Sequence, residues 1–77
     1  MTRVIVELEA IEGDRVVVEN YRSIYKPWEG GKVLHVEARF TPVAEAWVSY
    51  RVRLNRLSER GNPIDLYVGH DSIELAP

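Results

Sequence analysis

The sequence predicts an all-β fold, a small antiparallel barrel or sandwich of five to six strands of the SH3-like or OB-like kind. Three observations predict it. Ala46, Val48, Tyr50, Val52 and Leu54 alternate with Trp47, Ser49, Arg51 and Arg53, the period-two signature of a half-buried strand. Val4, Val6, Leu8 and Ala10 repeat the alternation near the start. Gly and Pro separate such runs, at Gly13, Pro27, Gly30–Gly31, Pro42, Gly61, Pro63 and Gly69, where turns need them.

Taken in order, the first two strands run from about Arg3 to Ile11 and from Arg15 to Tyr21. Glu12, Gly13 and Asp14 join them in a hairpin, with Gly13 supplying the positive φ that a tight turn requires. The β-branched run Val16–Val18 suits a strand that is central or covered on both faces. Residues 22–31 break the alternation and read as a long loop. A third strand, Lys32 to Phe40, buries Leu34, Val36, Ala38 and Phe40 and turns His35, Glu37 and Arg39 outward.

Two readings meet at residues 42–58. As a helix, Thr41 is the N-cap and Pro42 the first helical residue, and Val43, Ala46, Trp47, Tyr50, Leu54 and Leu57 share a face. That alternative is an α+β chain in the β-β-β-α-β-β order of an OB-fold. As a strand, every even position from 46 to 54 is apolar and the helix no longer has to expose Val48 and Val52. The strand reading is preferred. A turn at Ser58–Pro63 and two short strands, Ile64–Val68 and Ser72–Leu75, complete one domain over residues 1–77.

With 77 residues, such a domain buries only ~60 to 65% of its unfolded surface, so its core is thin. The chain has no cysteine, which removes disulfides and thiolate zinc sites and leaves the core, or association, to hold the fold. Apolar runs stop at three residues, as in Val4–Val6, far short of the ~20 that span a bilayer. The start lacks the pattern of a signal peptide, and a cytoplasmic location is expected. Abundant Val, Arg and Glu with one Met and no Gln give a thermophile-like composition.

Catalysis finds little support. Ser23, Ser49, Ser58 and Ser72 sit in no nucleophile-elbow context, and adjacent His70, Asp71 and Ser72 point in different directions in an extended segment and form no triad. Asp71 is instead expected to cap backbone N–H groups in a turn. His35 and His70 have no metal-ligand spacing, and Gly30–Gly31 lacks the Lys-Ser/Thr ending of a phosphate loop. The expectation is a non-enzymatic binding module with no cofactor and no metal.

Charge is distributed unevenly. Residues 1–20 hold two cations against five carboxylates, residues 21–60 eight against four, and residues 61–77 three carboxylates and no Lys or Arg. A basic middle suits a phosphate-rich ligand despite a net charge of -2, because small barrels stack bases on exposed aromatics while cations track the backbone. On the sheet, Trp47, Arg51 and Arg53 are expected beside His35 and Arg39. In the loop, Arg22, Tyr25, Lys26 and Trp28 accompany Tyr21. On this reading Trp47, Tyr25 and Trp28 stack on single-stranded DNA or RNA, Arg39, Arg51 and Arg53 hold phosphates, and Arg22 and Lys26 extend the groove if the two regions adjoin.

Each of these residues also has a structural alternative. Glu37 can pair with Arg51 across the strands, Trp47 can cover a barrel end, and Tyr25 and Trp28 can fold back on the core. The second function class is protein association. Ile5, Ile11 and Val17 fall opposite Val4, Val6, Leu8 and Val18, so the first hairpin has two apolar faces, one of which needs a cover such as a second copy of the chain or a protein partner.

Overall fold

The computed structural model describes residues 6–40, 42 and 46–77. Five strands form one antiparallel sheet: β1 (Arg15–Glu19), β2 (Trp28–Phe40), β3 (Ala46–Leu57), β4 (Pro63–Val68) and β5 (Ile73–Leu75), in the order β4-β3-β2-β1-β5. A single 3-10 turn, His70–Ser72, precedes β5. The fold is therefore all-β, as expected, and the sheet stays open between β4 and β5. Among the described residues no helix is long and apolar enough to cross a membrane.

Residues 46–57 are strand, which overturns the helical alternative. Val48, Tyr50, Val52 and Leu54 are buried and Trp47 and Arg53 exposed, so a period of two satisfies the core where a helix would have turned Val48 and Val52 to water. Tyr50, Leu66, Val16, Val18, Val33 and Val52 are the largest fully buried side chains, and each aliphatic one contributes ~1.5–3 kcal/mol by leaving water.

Among the described residues the predicted first hairpin is not present. Val6–Asp14 is not strand, and Arg3 to Ile5 lie outside the described residues. The cause is that β1 pairs with β2 on one side and β5 on the other, so neither edge is left for Val6–Ile11. This is the central position that Val16–Val18 indicated. The preceding segment lies across the core: Ala10 is buried, Val6 packs against the core cluster, and the Glu9 N–H donates to the fully buried Tyr50 hydroxyl at 2.8 Å. Gly13 has φ 94, as the turn requires, but its N–H bonds the Val33 carbonyl of β2 at 2.9 Å.

β2 starts four residues earlier than the alternation suggests, because Gly30 and Gly31 lie within it. A Cβ on Gly31 would stand 2.7 Å from the Arg53 carbonyl oxygen and 2.7 Å from Val52 Cγ1. The glycine is there for close approach of strands. Further on, Leu34 has no cross-strand partner between the pairs Val33↔Val52 and His35↔Arg51. This bulge makes Val33 the buried residue in place of Leu34, while Val36 faces inward as expected.

Beyond Val36 and Tyr50, β2 and β3 continue without β1 or β4 beside them. The result is a two-stranded ribbon that accounts for the 50 × 24 × 20 Å outline. Ala38 and Phe40, expected in the core, are exposed: the core reaches Val48 on β3 but not its partner Ala38 or the next inward pair, Phe40–Ala46. Residues 20–27 form a loop held at its base by Asn20, which is buried, donates to Glu29 at 2.6 Å and accepts from the Arg22 N–H at 3.0 Å.

Candidate binding face

Antiparallel pairing places facing residues on the same side of a sheet. The side away from the core therefore carries Trp28, Lys32, His35, Glu37 and Arg39 of β2, Trp47, Ser49, Arg51, Arg53 and Asn55 of β3, and Asp65 and Tyr67 of β4. Arg39 faces Trp47 and His35 faces Arg51. The structure thus brings together the five sheet residues named from the sequence.

Their charges are not all free. Asp65 accepts two hydrogen bonds from Arg51, at 3.2 and 2.8 Å, and two from Arg53, at 2.8 and 3.1 Å. Hydrogen bonding to Arg53 holds the Asp65 carboxyl at about 2, against an ordinary 3.8, and Arg51 adds to it. The same contact raises the Arg53 guanidinium. The expected Glu37–Arg51 pair does not form, because Glu37 takes Arg39 at 3.1 Å on its own strand. Asp65 was not among the sequence candidates, since nothing in the sequence alone makes β4 the neighbour of β3.

At the ribbon end of this face, Trp47 and Tyr67 are 68% and 56% exposed. They line a depression of about 500 Å³ with Glu37, Arg39, Val48, Ser49, Val68 and Gly69. Trp47 does not cover a barrel end. The depression is thus lined by two exposed aromatic side chains and by the Arg39–Glu37 ion pair.

The loop candidates lie elsewhere. Tyr25 is 84% exposed and Trp28 48%, so neither folds back on the core. Trp28 opens β2 and Arg39 nearly closes it; eleven steps along a strand put Trp28 ~36 Å from Arg39. The Arg22–Trp28 segment and the Trp47 depression are therefore separate regions at opposite ends of the face and do not adjoin, while Arg53, facing Lys32, lies between them. Lys26 has φ 44, a left-handed conformation uncommon outside glycine. At the loop's base Arg56 of β3 pairs with Glu29, and that bond lowers the Glu29 carboxyl below its usual range.

His70 is not near His35. Its ring stands edge-on to Tyr50, with Nδ1 3.3 Å from the hydroxyl. The 3-10 turn is closed by the Ser72 N–H on the Gly69 carbonyl at 3.2 Å, without the side-chain cap expected from Asp71. Compared with known proteins, the chain shows no significant match to any family model, curated protein or solved structure.

Proposed function

We propose that this chain is an SH3-like, non-enzymatic module that binds single-stranded nucleic acid across the outer face of β2, β3 and β4. A four-strand meander whose first strand also takes the last one supports the SH3-like over the OB-like reading, as does the strand at residues 46–57 where the OB-like order placed a helix. The observation that carries the ligand class is the pairing of exposed Trp47 and Tyr67 around one depression with Arg39 at its rim. Base stacking on such rings is worth ~1–3 kcal/mol per base and tolerates any sequence.

The test is fluorescence and NMR titration with short DNA and RNA strands at two salt concentrations. Trp47→Ala is expected to weaken binding by ~1–3 kcal/mol with thermal stability unchanged, and affinity is expected to fall as salt rises. Salt-independent binding, or no response at Trp47, would reject the reading.

Protein association is the second reading. Phe40, 59% exposed, sits on the core-side face of the ribbon where no described residue covers it, and Ile24 at the loop tip is 87% exposed. Concentration-dependent tumbling that Phe40→Ser abolishes would favour it.

A further inference from the structure

Three cations stand side by side on the outer face, on three adjacent strands. Arg15 of β1 is the direct partner of Lys32 of β2, and Lys32 is the direct partner of Arg53 of β3. Like charges directly opposite each other destabilise a sheet. Only Arg53 is compensated, by an Asp65 it shares with Arg51. Among the described residues neither Arg15 nor Lys32 pairs with a carboxylate. Neighbouring Asp14 spends an oxygen on the Ile11 N–H, and Glu74 faces Val17 rather than Arg15.

Beside this row lies a depression of about 650 Å³, lined by Gly13, Arg15, Lys32 and Asn55. The Asn55 amide nitrogen lies 2.9 Å from where a Cβ of Gly30 would stand, so the amide occupies the space over that glycine. No acidic residue lines the depression.

We propose that this depression is a binding site for a phosphoryl group, held by the Arg15 guanidinium and the Lys32 ammonium with Asn55 donating a further hydrogen bond. The anion supplies the negative charge that the fold withholds, and charge-assisted donors of this kind are the strong ones. The site lies six to eight residues from Trp47 along β3, ~20–27 Å, and stands on its own geometry whether or not bases stack there.

The experiment is an NMR titration of the intact chain with inorganic phosphate against chloride of matched ionic strength, followed by an eight-nucleotide oligothymidylate. Saturable, phosphate-specific shifts at Arg15, Lys32 and the Asn55 side-chain amide are expected. Lys32→Gln is expected to weaken them about tenfold or more, and Lys32→Glu to abolish them while raising the melting temperature, since it places a carboxylate between Arg15 and Arg53. Shifts that chloride reproduces, or an unchanged phosphate response in Lys32→Gln, would overturn the proposal. Movement of the same signals by the oligonucleotide assigns the phosphoryl group to a strand backbone. Response to phosphate alone assigns it to a free phosphorylated ligand, and a response here with Trp47 silent upholds this site while rejecting base stacking.

Discussion

Asp65→Asn tests the electrostatics of the outer face most directly. Lowering of the Asp65 carboxyl from 3.8 to about 2 corresponds to ~2.5 kcal/mol at full strength. The guanidinium side chains of Arg51 and Arg53 are 42% and 45% exposed, and solvent screening reduces the contribution to ~1–1.5 kcal/mol. For a domain of this size that is a fall of roughly 4–12 °C in melting temperature. The group's acidity is strengthened in the fold, so its contribution is complete above the unfolded value near 3.8 and disappears as pH falls through about 2. Thermal unfolding of both proteins across this range should show a gap that is full at neutral pH and closes in acid. The substitution also releases two guanidinium groups, so phosphate-dependent binding should tighten and its salt dependence steepen. A stability gap that does not change with pH, or weaker nucleic-acid binding by the variant, would refute the reasoning.

Gly31→Ala forces a Cβ against backbone and is expected to cost ~1–3 kcal/mol in chemical denaturation, whereas Gly30→Ala meets only the movable end of Asn55 and should cost far less. Tyr50→Phe leaves the Glu9 N–H without its acceptor; a loss of ~1–2 kcal/mol and faster hydrogen exchange at Glu9 are expected, with the sheet amides of β2 and β3 still protected.

Residues 46–54 were legible because one face is buried, and a buried face fixes parity. The same logic failed around β1, where apolar alternation in Val4–Ala10 resembles a strand but both edges of Val16–Val18 go to strands distant in sequence. Gly30–Gly31 read as loop because glycine breaks alternation; here it lets two backbones approach. The bulge at Leu34 had the widest effect. One unpaired residue is invisible to a period-two pattern, yet it turns Lys32 to the outer face beside Arg15 and Arg53. The phosphoryl site was hidden for that reason, and Asp65 because strand neighbours are a property of topology.

The three-residue strand β5 guards more than its length suggests. It occupies the outer edge of Val16–Val18, a β-branched run whose unpaired backbone, if uncovered, would offer a template for pairing with another chain. Detachment of so short a strand breaks few bonds, so the transient opening of this edge, rather than global unfolding, sets the domain's exposure to fibril formation. Proteolytic trimming within residues 73–77 would make that exposure permanent, turning the edge of Val16–Val18 into a nucleus for assembly.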